Sequence, residues 1–236
     1  GKQNLGNMKV VPAVENWNMS SATSIRDMFY GCARIETLDL SKWDVTDVKD
    51  MRHTFADCFG LKSINFSGWN TPNLENLDGT FNDCLVLTDL DMSNFNTSKV
   101  STMAQLFEGC ASLTTVKGME KWDTTSLRDV AEMFYTNGRG SSLEVVDLSS
   151  FNTAALRNTG SMFGGCDKLT TVYVGDGWDL SNVTSHGSMF SGCTGLVGAN
   201  GSTVADLKAV DKTYACVDAE GTPGYLTYKA PATTNP

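Results

Sequence analysis

The stretch IETLDLSKWDVTDVKDMRHTFADC, residues 35–58, contains most of one unit of a repeat that runs through most of this 236-residue chain. It places one aromatic residue at Trp43 and a second at Phe55, twelve positions later. By subtraction, the first aromatic recurs at intervals of 26, 26, 26, 27, 29 and 27 residues, at Trp17, Trp43, Trp69, Phe95, Trp122, Phe151 and Trp178. The second follows each of them at the same offset, at Phe29, Phe55, Phe81, Phe107, Phe134, Phe163 and Phe190. A fixed period of this length is the signature of a solenoid, in which each unit stacks on its neighbours.

The two halves of the unit predict different secondary structure. Up to the first aromatic, residues 35–43 read Ile-x-x-Leu-x-Leu-x-x-Trp, and the alternation at period two predicts a short strand. Between the two aromatics, apolar residues at positions i, i+3, i+7 and i+10, as in residues 48–58, predict a short amphipathic helix. We therefore predict an α/β repeat fold, a leucine-rich-repeat-like right-handed solenoid of seven units. Short helices would cover one face, and a parallel strand ladder about 35 Å long would form the other.

Departures from the period predict the domain boundaries. Residues 1–12 would form an N-terminal cap with the first strand, 13–196 the seven leucine-rich-type repeats, 197–229 a C-terminal cap and 230–236 a linker or tail. Caps are expected because the terminal repeats of a solenoid need a polar outer face. The step from Phe134 to Leu143 is three residues longer than its equivalents, which predicts an exposed bulge at residues 136–141.

Charge and composition narrow the classes of partner. The formal net charge of -9 gives an acidic surface, so we expect no nucleic-acid partner, while basic protein patches and small cations remain open. There is no run of about 18 apolar residues, so we expect no direct membrane insertion. The sequence also lacks a glycine-rich phosphate loop, a G-x-S-x-G elbow and an H-E-x-x-H motif, so we expect no enzyme activity and no cofactor.

Only two histidines are present, which limits acid–base chemistry. His53 falls in a polar column that is predicted to be solvated. His186 falls in a column that is otherwise mostly apolar, with Leu77 and Met103 at equivalent positions. Because a buried polar group is normally satisfied, we predict that His186 contacts the C-terminal cap.

Cysteine occupies one column in six of the seven units. Its members are Cys32, Cys58, Cys84, Cys110, Cys166 and Cys193. No C-x-x-C pair is present, and each ligand would come from a separate unit, so we expect no metal site. Disulfides between stacked neighbours remain an alternative, although side chains that point the same way rarely reach the required torsion. We expect a structural ladder of free, buried thiols.

The outward positions of the strands form the face that repeat proteins commonly use for binding. We predict that one column of this face contacts a ligand, and it contains Asp39, Asn65, Asp91, Lys117, Asp147 and Tyr173. The alternative is that these are solvated strand residues without a binding role. A weak calcium site between Asp39 and Asp91 is also conceivable, but no calcium-binding motif supports it.

Residues 40–51, combined with the phrase Met-Phe-x-Gly-Cys at 28–32, resemble the BspA-type leucine-rich-repeat surface proteins of bacteria. The resemblance extends over about residues 8–196, the phrase returns at 189–193, and residues 222–227 look like the closing segment of that family. It implies an extracellular protein, secreted or attached to the cell surface, that adheres to a host or neighbouring-cell protein or glycan.

A shared fold does not fix a shared function, so two interpretations follow from the resemblance. The first is a recognition module that binds through its strand face. The second is a structural spacer or stalk within a larger surface protein. An enzyme is a remote third, since the resemblance brings no catalytic residues.

Overall fold

The computed structural model describes residues 9–230, and over this range the chain forms a coil of short parallel strands. The strands are β1 (Thr37–Asp39), β2 (Ser63–Asn65), β3 (Asp89–Asp91), β4 (Thr115–Lys117), β5 (Val145–Leu148), β6 (Thr171–Val174) and β7 (Thr227–Tyr228). One α-helix, α1 (Val204–Leu207), and 3-10 helices at Val14–Asn16, Met119–Lys121 and Lys212–Tyr214 complete the regular structure. Residues 1–8 of the predicted N-terminal cap and 231–236 of the predicted tail lie outside the described range.

Parallel pairing between successive coils confirms the predicted solenoid. The strands pair in register, so that Leu38 of β1 lies opposite Ile64 of β2 and Val146 of β5 lies opposite Val172 of β6. They form three sheets, β1–β2, β3–β4 and β5–β6–β7, instead of the single continuous ladder that was predicted. The longer connection through residues 136–141 separates the second sheet from the third. The strands describe about five turns of coil, so the count of seven complete units is not confirmed.

The predicted helical face is wrong, because the segments between the two aromatics are turns. In the first of them, the amides of Ile25 and Phe29 donate to the carbonyls of Asp50 and Thr54 in the next coil, at 3.0 and 2.8 Å. An intervening amide, that of Met28, donates three residues back to Ile25 at 3.2 Å. An α-helix would send every amide four residues back within the same segment. Here alternate amides join neighbouring coils instead.

A left-handed residue in every such segment explains why no helix forms. Two positions before each second aromatic, φ lies between 49° and 60°. The residues are Asp27, His53, Gly79, Gln105, Glu132, Ser161 and Ser188. A right-handed helix cannot continue through this conformation, which costs a residue other than glycine about 1 kcal/mol or more. The apolar spacing that predicted a helix also suits this turn, because the turn still directs those side chains to one side.

The interior is organised around the column of second aromatics. From Phe29 to Phe190, six successive pairs stack with ring centroids 5.4–5.8 Å apart and interplanar angles of 5–23°. Offset stacks of this kind contribute about 0.5–1.5 kcal/mol each beyond the burial of apolar area. The indole nitrogens of Trp43 and Trp69 add hydrogen bonds of 2.8 Å to the carbonyls of Val14 and Leu40 in the preceding coil. Side chains therefore bind each coil to the next.

Short polar side chains hold several turns of the coil. Asp39, Asp44 and Asp50 each accept, through Oδ1, the backbone amide of the residue two positions later, at 3.1, 3.1 and 3.0 Å. Asn65 and Asn96 make the same contact in other coils, at 3.1 and 3.0 Å. Asp and Asn are favoured at such turns because the side-chain oxygen replaces a backbone acceptor. The amide side chain therefore performs this role as well as the carboxylate does.

The segment after residue 196 closes the end of the coil. Strand β7 pairs with β6, and the ring of Tyr225 packs edge-on against Phe190 at 5.3 Å, which ends the aromatic column. The indole nitrogen of Trp178 donates to the carbonyl of Ala215 at 2.9 Å. Within residues 9–230, no helix has the length and apolar character needed to cross a membrane.

Candidate functional site

The register of the strands brings the predicted strand-face column together in pairs. Asp39 lies opposite Asn65, Asp91 opposite Lys117, and Asp147 opposite Tyr173. The amide of Asn65 donates to Asp39 Oδ1 at 3.0 Å. The first four of these side chains are exposed, whereas Asp147 and Tyr173 are half-buried. The column therefore lies on the surface, but its side chains are more exposed along β1–β4 than along β5 and β6.

The carboxylates of this column also hold the turns that follow the strands. Hydrogen bonds from Ser41 and Ser93 lower the pKa of Asp39 and Asp91, respectively, so both stay ionised at neutral pH. In each residue Oδ1 receives the turn amide, at 3.1 and 3.0 Å. Residues 9–230 contain no group of three or more His, Cys, Asp or Glu placed to hold a metal ion.

The chain itself covers the far end of the column. The ammonium of Lys229, one residue beyond β7, forms an ion pair with Asp147 Oδ2 and lies 5.3 Å from the centroid of the Tyr173 ring. Partial burial opposes ionisation of Asp147, but hydrogen bonds from Lys229 and Ser149 lower its pKa overall. Sequence reasoning missed this contact. The sequence indicated only that residues 222–227 close the repeat. It did not indicate which strand the residues at the end of this segment would contact.

The six column cysteines are buried free thiols inside the coil. Five of them donate a hydrogen bond of 3.0–3.3 Å to the carbonyl of the aromatic residue in the preceding coil. They are Cys58, Cys84, Cys110, Cys166 and Cys193. Burial raises the pKa of Cys110 and Cys166 to about 12. A thiol that remains protonated is a poor nucleophile and a poor metal ligand, so this column suits packing better than chemistry.

A buried acidic cluster lies beneath the predicted bulge. The guanidinium of Arg139 reaches back to Asp83, with Nη1 3.0 Å from Oδ1. Glu108 beside it is only 8% exposed, and burial, reinforced by Glu132 and Asp83, raises its pKa to about 7. Asn82 donates to Glu108 Oε2 at 2.7 Å. Sequence reasoning missed this cluster, because its members come from three different coils.

A cleft of about 660 Å³ separates the last coil from the C-terminal cap. Its lining includes the side chains of Trp178, His186, Lys212 and Cys216. Nδ1 of His186 lies 3.8 Å from Asp211 Oδ2, so His186 contacts the cap, as predicted. A histidine in a column whose only other polar member is Thr159 was the sequence signal for this contact.

Comparisons with known proteins give one family. The family model described as "Mycoplasma protein of unknown function, DUF285" matches residues 3–90 and again residues 75–201. No curated protein matches the chain, and no solved structure does. Because the two matches together span residues 3–201 of the 236, the chain belongs to the DUF285 family.

Proposed function

We propose that this chain is a non-catalytic recognition module of the BspA leucine-rich-repeat type, secreted or attached to the outer surface of a bacterial cell. It binds a host or neighbouring-cell protein or glycan through its strand face. The observation that carries this proposal is the in-register alignment of exposed polar side chains along the strands. Repeat proteins use such extended faces for binding because the faces are rigid and their outward residues are not needed for the core.

The proposal also assumes that the solenoid consists of seven repeat units and winds in a right-handed sense. A ladder of parallel backbone bridges supports the number, since it joins one residue from each proposed unit. The ladder runs through Ser24, Asp50, Asn76, Thr102, Asp129, Asn158 and Ser185. The handedness follows the general preference of parallel crossover connections.

The exposed end of the strand face favours a partner with basic groups. Asp39 and Asp91 are held ionised by their turn hydrogen bonds, and Lys117 is the only cation in the predicted column. The contact of Lys229 with Asp147 and Tyr173 illustrates how this column accommodates an ammonium group. Complementary charge raises the rate of encounter and selects among partners.

The test is a charge-removing pair of substitutions of nearly unchanged shape, Asp39→Asn with Asp91→Asn. Both should preserve the turns, because Asn65 already makes the equivalent contact. The matched control is Asp44→Asn with Asp123→Asn, which removes the same charge from exposed turn residues away from the strand face. Each protein is titrated over immobilised matrix proteins and glycans at two salt concentrations.

We expect saturable binding of the wild type and the control, and binding weaker by about tenfold in the strand-face variant, as for the loss of about 1.4 kcal/mol. Equal binding by both variants would exclude the strand-face carboxylates from the site.

A structural spacer is the second candidate, and the continuous aromatic column favours it. Six stacked pairs and the amide bonds between coils tie each unit to the next, which gives a stiff rod. If no matrix protein or glycan is bound by the wild type, the spacer becomes the better interpretation.

A further inference from the structure

The cleft between the last coil and the C-terminal cap has the dimensions of a small-molecule site. Its volume of about 660 Å³ falls within the range of about 300–1,000 Å³ that is typical of ligand pockets. It lies where the repeat pattern ends, so its residues are free to differ from those of the columns.

Trp178 supplies an aromatic ring to the lining of the cleft, where it is partly buried. The equivalent Trp43 stacks between Trp17 and Trp69, with ring centroids 6.1 and 6.4 Å away. Among residues 9–230, Trp178 stacks on no other aromatic ring, although it belongs to the same column. Its indole nitrogen is fixed by the carbonyl of Ala215 at 2.9 Å. The ring is therefore held in place while it borders the cleft.

His186 supplies a polar group where the fold does not require one. Leu77 and Met103 occupy the same column in other coils, fully buried. Nδ1 of His186 is buried without a hydrogen-bond partner, 3.8 Å from Asp211, yet the side chain is 31% exposed. The imidazole therefore remains partly accessible, and His186 belongs to the lining of the cleft. A polar group at an apolar position costs stability unless it makes a compensating interaction.

The remaining groups give the cleft little net charge. The ammonium of Lys212 is taken up by the carbonyls of Leu180 and Val183. The carboxylate of Asp179 accepts the amide and the hydroxyl of Ser181, at 2.8 and 2.9 Å. The cleft therefore presents to a ligand an aromatic ring, an imidazole nitrogen, and hydroxyl and carboxylate oxygens that already make some hydrogen bonds within the protein.

This combination matches a ring that has one apolar C–H face and neutral hydroxyl groups around its edge. We propose that the cleft binds a neutral hexopyranose, with its C–H face on Trp178 and a hydroxyl hydrogen-bonded to Nε2 of His186. This site is separate from the strand face, so it goes beyond the function proposed above.

Cys216 provides a direct probe, because it lines the cleft and is the one exposed thiol of the seven. The rate of its alkylation by N-ethylmaleimide is measured with methyl glycosides of glucose, galactose, mannose and N-acetylglucosamine. The disaccharides cellobiose, lactose and chitobiose test whether a glycan-linked residue is preferred over a free sugar. Calorimetric titration of the same sugars gives the affinity, and free glutathione controls for effects of sugar on the reagent.

We expect at least one of these sugars to slow alkylation saturably, by about threefold or more, since a filled cleft restricts access to the thiol. His186→Leu, which restores the residue found at Leu77, should weaken binding by about tenfold without lowering the melting temperature. The matched control is His53→Gln, which removes the other histidine and places there the residue found at Gln105.

Three outcomes would overturn the proposal. They are the absence of protection and of binding heat for every sugar, unchanged affinity in the folded His186→Leu variant, and equal loss in His53→Gln. None of them bears on the strand face, which is tested with the Asp39 and Asp91 substitutions. Conversely, those substitutions should leave sugar protection of Cys216 unchanged.

Discussion

Truncation of the aromatic column at Phe81 is the most direct test of how the coils hold together. The ring is fully buried and lies between Phe55 and Phe107, at centroid distances of 5.4 and 5.8 Å. Phe81→Ala removes its burial and leaves a cavity, which costs about 3–5 kcal/mol in well-packed cores. The two stacks account for about 1–3 kcal/mol of that loss. This is a large part of the 5–15 kcal/mol by which domains of this kind are usually stable.

The assay is urea unfolding, followed by circular dichroism and by tryptophan fluorescence. Phe59→Ala is the control, because the Phe59 ring is 39% exposed and its loss should cost less than about 1 kcal/mol. Since each coil contacts only its neighbours, we also expect the two signals to separate in Phe81→Ala, as the coils on either side unfold independently. A destabilisation below about 1.5 kcal/mol would refute a column in which every ring supports the next.

Three further predictions follow from other parts of the coil. N-ethylmaleimide should modify only Cys216 in the folded protein and all seven thiols after denaturation, as counted by mass spectrometry; rapid modification of a column cysteine would contradict the buried ladder. The raised pKa of Glu108 means that its contribution to stability is complete below about pH 4.5 and is lost as the pH rises through about 7. In pH-dependent unfolding, Glu108→Gln should therefore remove a decline of about 1–3 kcal/mol over that interval, and an unchanged slope would exclude Glu108 as its source. Ser161→Gly should stabilise the protein by about 0.5–1 kcal/mol, because φ at Ser161 is 52° and glycine adopts this left-handed conformation without strain. If residue 161 lay in a helix, the same substitution would destabilise the protein by a similar amount, so the sign of the change distinguishes a turn from a helix.

The repeat, the inward columns and the parallel strands could be predicted from the sequence because each depends only on spacing. Leu38 and Ile64 lie one period apart, and equal periods place equal positions in register. Spacing could not decide between helix and turn, since both place Val48, Met51 and Phe55 on the same side. The deciding property is the sign of φ at His53, and a histidine does not reveal it.

The candidate sites could be predicted only in part, for a related reason. Alternation in β1 and β3 puts Asp39 and Asp91 on the outer face, and they are exposed there. The ion pair of Lys229 with Asp147 joins residues 82 positions apart across the end of the coil. No period relates the cap to the repeats, so nothing in the sequence specifies where it docks.

The fold constrains the residues of the two proposed sites to different degrees, and this affects which site can change its ligand more easily. Asp39 and Asp91 each hold the turn that follows their strand, so replacing them with a residue other than Asn gives up a turn hydrogen bond. His186 lies in the last coil, where the stacking ends and the cap begins, so its substitution affects fewer neighbouring coils. Selection for a new ligand could therefore act on the cap cleft at a lower cost in stability than on the strand face. Substitutions at His186 should be better tolerated by the fold than substitutions of the same size at Met103 or Leu77, which lie fully buried between neighbouring coils.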